Sequence, residues 1–255
     1  MRSICVIPAR MASSRLPGKP LKPLLGMPLI QHIYLRSRLF ADFERVIVAT
    51  CDTEIADSIR AIGGEAVMTA DTHERCTDRV QEAVEELDLE LTDDDLVLMV
   101  QGDEILVSPD MLSETAARYA QTGAAVVNLV SRLYQPEDQD DVNAVKAVMA
   151  PDDRIVYFSR SCIPSRARAG KDVRVYQQTG IIGFKPSLLA TFSSLPQTPL
   201  ERAESCDMMR LIEHHMPIYA VRTETETIGV DTAADHARAE KVLAADPLTG
   251  RYLES

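Results

Sequence analysis

The chain contains no tryptophan, and aromatic residues of all kinds make up only 5% of its 255 residues. A stacking platform for single-stranded nucleic acid needs several exposed aromatics, so that class is excluded. Positive charge is also scarce. Lys and Arg total 27 against 39 Asp and Glu, a net charge of -12, which argues against DNA or RNA as a partner. The five cysteines (Cys5, Cys51, Cys76, Cys162, Cys206) are odd in number and contain no C-x-x-C pair. That excludes a disulfide framework and a structural zinc site, and implies a reducing compartment. No apolar run reaches 18 residues. Met1-Arg2-Ser3 leads directly into an apolar strand pattern without a signal-peptide arrangement, so the sequence predicts a cytoplasmic protein with no membrane segment. Neither G-x-x-x-x-G-K-[ST] nor G-x-G-x-x-G occurs, which removes the P-loop and dinucleotide fingerprints. The Ser13-Ser14 pair lacks the G-x-S-x-G elbow, and His32, His73, His214, His215 and His236 show no metal-ligand spacing.

What is present is an alternation of apolar strands and helical patterns. Strands are predicted at 4–7, 46–49, 66–68 and 96–100, with helices at 28–40, 53–62 and 77–87 between them. Unbroken β-branched runs such as Val46-Ile47-Val48 indicate strands buried on both faces. The fold class is therefore α/β, a Rossmann-like and mostly parallel sheet joined to a smaller mixed α/β lobe. Residues 1–124 are expected to form the nucleotide-binding core. Residues 125–216 would form a smaller substrate and dimerisation region, and residues 217–255 a return to the core. In the second segment strands are predicted at 125–130, 144–149 and 175–184. An acidic loop is expected at 137–141, and a polar loop containing Ser161, Pro164 and Gly170 before the last strand. One helix is expected over 204–215, then a strand at 217–221, a helix at 232–245 and a ten-residue tail.

Three cations follow the first strand within ten residues: Arg10, Arg15 and Lys19, among Ser, Pro and Gly. Clustered positive charge on an acidic chain calls for an anion, and a polyphosphate fits best. Sheets of this kind bind ligands at the carboxyl ends of their strands. The run Gln101-Gly102-Asp103-Glu104 follows the buried strand Leu96–Val100 and delivers carboxylates to that same edge, as Mg²⁺ on nucleotide phosphates requires. Asp231, in Gly229-Val230-Asp231-Thr232, is a candidate second oxygen ligand. On spacing alone the reading of Asp231 or Thr232 as the cap of the last helix is favoured. Asn143-Ala144-Val145-Lys146 and Ser159-Arg160 offer a cation and polar groups for an acidic substrate, though each alone is most often surface decoration.

Taken together, these segments resemble the 3-deoxy-manno-octulosonate (Kdo) cytidylyltransferase family. They are IPARMASSRLPGKPL (7–21), IVATCD (47–52), VQGDE (100–104), NAVKAV (143–148), YFSRSCIP (157–164), TGIIGF (179–184), TPLE (198–201) and GVDT (229–232). The resemblance implies CTP, Mg²⁺ and a 2-keto-3-deoxy sugar acid as reactants, a CMP-sugar and pyrophosphate as products, and a homodimer. Carried across, it implies that Arg10, Arg15 and Lys19 act with Asp103 on the triphosphate, and that Asp103 and Asp231 hold the metal. Ala9, Ser13, Thr77, Arg79 and Gln101 would lie against the nucleotide. Arg160, Gln178, Glu204, Asp207 and Arg210 would form the sugar pocket, with the last three on one helix at i, i+3 and i+6. The chain departs from the family pattern at Arg75-Cys76, where Ser-Gly is usual, and at Gln177-Gln178-Thr179-Gly180, where Arg-His-Leu-Gly is usual. Ile105 also stands where Pro is usual. These changes gather near the base and the sugar, so the acceptor implied is Kdo or a relative, with a modified ulosonic acid or a different acid altogether as the alternative. A glycosyltransferase of related fold and a non-catalytic nucleotide-binding protein are the competing readings.

Overall fold

The structure, a computed structural model, describes residues 1–13, 15–169 and 173–253. Ser14 of the first loop and Gly170 lie outside the described residues. The chain opens with strand β1 (Ser3–Ala9), a short hairpin of β2 (Pro23–Leu24) and β3 (Met27–Pro28), and helix α1 (Leu29–Arg38). Then come β4 (Arg45–Thr50), α2 (Thr53–Arg60), β5 (Glu65–Met68), α3 (Cys76–Glu86), β6 (Leu96–Val100) and α4 (Pro109–Thr122). The second half has β7 (Val126–Leu133), α5 (Pro136–Asp140), β8 (Lys146–Met149), β9 (Ile155–Ser159), α6 (Arg166–Ala169) and β10 (Val175–Phe184). It ends with α7 (Pro186–Ser194), α8 (Pro199–Glu204), α9 (Met208–Glu213), β11 (Tyr219–Thr223), α10 (Ala233–Ala245) and α11 (Pro247–Leu253).

One sheet runs β11-β7-β10-β6-β1-β4-β5, with the β8–β9 pair attached to β10. β1 pairs parallel with β4 and β6, β4 with β5, and β7 with β11, whereas β10 runs antiparallel to both β6 and β7. The expected α/β fold with a mainly parallel sheet is what forms. The same sheet carries strands from all three predicted segments.

The strands that were easiest to read are those buried on both faces, such as Leu96–Val100, whose five residues are all inaccessible to solvent. Two apolar layers, one on each face, hold them: Ile7, Val48 and Leu98 on one side, Val6, Met99 and Phe184 on the other. Chain order departs from β1 in both directions, to β4 on one side and β6 on the other. The loops after β1 and β6 therefore diverge at a topological switch point, where the two strand ends leave a crevice. Gly102 lets the two loops touch, because a Cβ there would lie 2.8 Å from the Pro8 carbonyl oxygen.

Four local expectations are corrected. Residues 155–159 form β9 inside what reads as polar loop, and the acidic stretch contains the short helix α5. The predicted helix at 204–215 is two helices broken at Ser205, which adopts φ 47°. Thr198 caps the first of these with a Thr-to-Glu201 capping box. The predicted C-terminal tail is helical and docked. Tyr252 is buried against α1, its hydroxyl 2.8 Å from His32 Nδ1, and Asp246 pairs with buried Arg36 at 2.8 Å.

His32 sets the chemistry of this dock. Its Nε2 lies 2.8 Å from the Leu24 carbonyl, which can only accept, so Nε2 carries the proton and Nδ1 accepts from Tyr252. Burial holds its pKa below the ordinary value, against the Leu24 hydrogen bond and with help from Arg36. The folded state thus binds this proton less readily than the unfolded chain. The stabilisation is complete above the unfolded pKa of about 6.5 and is lost as pH falls below it. We expect Tm to drop between pH 7.5 and 5.5 by more in the parent than in His32→Gln, on the order of a few degrees. Parallel pH dependences would remove His32 from the account.

Candidate active site

The loop after β1 is anchored across the sheet. The Met11 N–H donates to Asp52 Oδ2 at the end of β4 (2.7 Å), and Gly18 turns through φ 70° to start a 3-10 turn at Lys19. This aims the Lys19 side chain at the end of β6. Its ammonium lies 3.0 Å from Asp103 Oδ2 and 3.1 Å from Asp231 Oδ1. Burial alone would lower the Lys19 pKa, but the two carboxylates outweigh it and hold the group above its usual value. Asp231 is 128 residues beyond Asp103 in the chain. It is brought there by backbone pairing: Val230 N–H donates to the Asp103 carbonyl (3.1 Å), and Glu104 bridges Gly229. Thr232, with Asp235, provides the cap of α10. The Asp231 carboxylate is left to face Lys19 and Arg15, 2.8 Å from the Arg15 guanidinium. The cap is therefore Thr232, and the Asp231 side chain is not used in it.

Arg15 also donates to Asn143 Oδ1, which links the β1 loop to the segment before β8. Arg10 is exposed and donates to the His73 carbonyl at 3.3 Å. Ala9 is the buried last residue of β1, and Ser13 closes a tight turn onto the Met11 carbonyl (2.8 Å). Thr77, in the first turn of α3, is buried and donates to Asp207 Oδ2 at 2.7 Å. Beside it Cys76 is pushed up to about 12 by burial first, then by Asp207 and Asp103, against Arg10 and Lys19.

A cavity of about 540 Å³ extends from Asp103 and Asp231 to the bulged middle of β10. That volume is in the range of small-molecule sites. Arg15, Gln101, Arg160, Gln178 and Asp207 line it, and Asn143 does so as well. Gly180 forms part of its floor, and a Cβ there would fall 2.5 Å from Gln101 Cβ. The Gly180 N–H donates to Glu104 Oε1, so the second carboxylate of the β6 turn supports β10. Burial first, then repulsion from Asp103, pushes Glu104 up to about 7.

Other candidates are not in the cavity wall. Glu204 accepts from Tyr157 (3.3 Å), Ser159 (3.0 Å) and the Arg160 N–H (2.8 Å), so it supports Arg160 from behind. Arg210 is buried on the far side of the Ser205 break. It forms a bidentate pair with Glu201 (2.8 and 2.7 Å) and stacks over Phe192. Arg79 is buried and donates to Thr69 and to the Ala70 carbonyl (3.1 Å). Glu204, Asp207 and Arg210 do not share the expected helix: Glu204 ends α8, whereas Asp207 is the N-cap residue of α9, which carries Arg210. Lys146 does not face a substrate either. Its ammonium is fully buried and donates to the carbonyls of Asp141, Ala144 and Arg160, each at 2.7 Å.

The cation loop, the paired carboxylates at the switch point and the adjoining cavity agree with what comparison with known proteins finds. A family model described as Cytidylyltransferase matches residues 4–229. The chain belongs to the cytidylyltransferase family. Among its relatives, the 3-deoxy-manno-octulosonate cytidylyltransferase of Syntrophus aciditrophicus (strain SB) is 36% identical over 241 residues, covering 94% of this chain and 96% of that protein. The one from Paramagnetospirillum magneticum (strain ATCC 700264 / AMB-1) is 40% identical over 247 residues, covering 95% and 98%. Among solved structures, a CMP:2-keto-3-deoxy-manno-octonic acid synthetase complexed with CTP superposes with a TM-score of 0.87 at 32% identity. It covers 96% of this chain and 99% of that one. The family resemblance read from the motifs is thereby met, and so is the expected nucleotidyltransferase class.

As in the sequence reading, this cytidylyltransferase departs from the usual pattern at Arg75 and Gln178, and both departures now have partners. Arg75 approaches buried Glu201 at 3.3 Å, beside Arg210. Gln178 lies between Asn128 and Cys206. One participant was missed: Asp52, which anchors the β1 loop from the end of β4. Glu104 was read only as a carboxylate at the sheet edge, and its tie to β10 depends on strand order, which local sequence does not settle. Among the described residues, no helix is long and apolar enough to cross a membrane.

Proposed function

We propose that this cytidylyltransferase transfers CMP from CTP to the anomeric hydroxyl of Kdo, releasing pyrophosphate and forming CMP-Kdo. The observation that carries this reading is the Lys19 ammonium held between Asp103 and Asp231 at the switch point, with a cavity of substrate size opening beside it. The names of the relatives supply the acceptor and the nucleotide. Arg10, Arg15 and Lys19 bind and orient the triphosphate. Their charge offsets the repulsion between it and the acid's carboxylate. Ser13, Thr77, Arg79 and Gln101 belong to the nucleotide side, either in contact or in support. Arg160, Gln178 and Asp207 face the acid. Glu204 holds Arg160, and Arg210 holds Glu201.

The anomeric oxygen bonds to the α-phosphorus as the bond from that phosphorus to the β-phosphate bridging oxygen breaks. Pyrophosphate leaves with the electron pair, and the hydroxyl proton passes to solvent. Such a transfer depends on alignment and on charge stabilisation, with little covalent participation by protein groups.

Cytidylyltransferases of this family generally use a divalent cation, and Mg²⁺ is the ion proposed here. Asp103 and Asp231 suit it as two adjacent hard oxygen donors, each now paired with the Lys19 ammonium (3.0 and 3.1 Å), so their oxygens would pass to the ion as Lys19 turns to the phosphates. Among the described residues no group of three His, Cys, Asp or Glu forms an all-protein cage. Mg²⁺ commonly takes one or two carboxylates and completes its shell with phosphate oxygens and water. When bound, it would neutralise phosphate charge and polarise the α-phosphoryl group. The remaining expectations, a cytoplasmic homodimer with residues 125–216 supplying the acid pocket and subunit contacts, belong to this reading.

The test is pyrophosphate release with CTP, Mg²⁺ and Kdo, with CMP-Kdo identified by mass. Release that requires all three supports the reading. Release with a modified ulosonic acid alone would move the acceptor. CTP binding with no turnover of any acid, or transfer from a sugar nucleotide without pyrophosphate, would overturn it.

A further inference from the structure

Strand β10 is irregular where it crosses the cavity. Its ladder with β7 pairs Val175–Gln178 with residues 130–133, then shifts register and resumes at Ile182 opposite Asn128. In the gap, side chains serve the backbone in place of the β7 ladder. Asn128 is fully buried, and its Nδ2 donates to the carbonyls of Leu129 (3.0 Å), Thr179 (3.0 Å) and Ile181 (3.1 Å). Turning that amide over would set Oδ1 against three carbonyl oxygens, none of which can donate. The position of Asn128 Oδ1 is therefore fixed by the backbone.

That oxygen dictates the next group. Gln178 Nε2 donates to it at 3.0 Å, so the Gln178 amide cannot turn over without opposing oxygen to oxygen. Its Oε1 consequently points the other way, toward Cys206 Sγ at 3.1 Å. Gln178 and Cys206 both line the cavity. A thiol is a weak donor, and an amide oxygen has two lone pairs, so Oε1 retains acceptor capacity beside the Cys206 contact.

We propose that the Asn128–Gln178 relay presents Gln178 Oε1 to the cavity as an oriented hydrogen-bond acceptor, which selects sugar acids carrying a donor (a hydroxyl or amino group) at the facing position. Gln178 is the specificity-determining residue and Asn128 its positioning residue. This inference rests on the acid-activating reading above and deepens it.

The experiment measures pyrophosphate release at saturating CTP for the parent enzyme and Gln178→Leu. Acceptors are Kdo and a set of analogues in which each hydroxyl in turn is replaced by hydrogen or by fluorine. Fluorine matches the hydroxyl in size and cannot donate. For one position the parent should lose on the order of 10- to 100-fold in kcat/KM with both replacements. Gln178→Leu should erase that one penalty, keep the others, and leave the KM for CTP unchanged. Gln178→Met provides the same test if Leu fails to fold. A variant with the parent's full set of penalties overturns the inference and leaves the proposed function standing. So does a variant whose KM for CTP rises as much as that for the acid. A parent that turns over no acid overturns both.

Discussion

Asp103→Asn should lower kcat by about 10²–10³ or more, the scale seen when one oriented charge-stabilising group is removed from a water-poor site. The substitution keeps the side chain's shape, and Lys19 retains Asp231 at 3.1 Å, so the fold has no reason to fail. The loss should be chemical. A second readout separates metal support from general disruption. By calorimetry, CTP binding to the parent should tighten on addition of Mg²⁺, and binding to Asp103→Asn should gain much less from it. A variant within about tenfold of the parent in kcat, roughly 1.4 kcal/mol of barrier, would remove Asp103 from the reacting centre. So would an undiminished response to Mg²⁺.

Lys146→Met is expected to produce the largest loss of stability. The ammonium is inaccessible to solvent, and its three hydrogens go to three carbonyls at 2.7 Å. Burial holds its pKa below the usual lysine value, so its charge is already costly to keep. Replacing it relieves that cost but leaves the Asp141, Ala144 and Arg160 carbonyls short of a donor. Charge-assisted bonds of this kind contribute roughly 1.5–3 kcal/mol each. After the offset, a net loss of about 3–5 kcal/mol is expected, comparable to removing one partner of a buried pair. At about 2–4 °C per kcal/mol for a chain somewhat smaller than this one, Tm should fall by roughly 6–20 °C. The carbonyls belong to the segments that carry Asn143 and Arg160. In the protein that still folds, the KM for the acid should therefore rise more than the KM for CTP. An unchanged Tm would show that these carbonyls find other donors.

The parts of the molecule that could be read in advance are those whose physics is local. Leu96–Val100 declares itself as a two-face-buried strand, and Lys19 with Asp103 follows from a cation loop and a carboxylate turn after neighbouring strands. Asp231 could be weighed only as cap or ligand, because the choice depends on whether Thr232 takes the capping role. β9 is an unbroken β-branched and aromatic run, Ile155-Val156-Tyr157-Phe158, but it is short and set within a stretch of Pro, Asp, Arg and Ser that reads as loop. The break at Ser205 was hidden for another reason. A left-handed residue between two six-residue helices leaves the apolar spacing on either side intact, and only the backbone reverses the faces. The family resemblance implied a sugar role for Arg210, and the continuous-helix spacing agreed with it, but its partner here is Glu201 on the preceding helix.

The irregular stretch of β10 also bears on how such enzymes diversify. Where an ordinary strand pair meets, side chains and ladder are bound together, and changing one residue risks the register of the rest. Residues 179–181 have their main-chain groups secured by Asn128, Gln101 and Glu104 instead. Gln177 and Gln178, beside them, remain in the β7 ladder, and their polar side chains line the cavity. An exchange of the polar group at 178 would then alter the acid's surroundings while Lys19, Asp103 and Asp231 keep their partners.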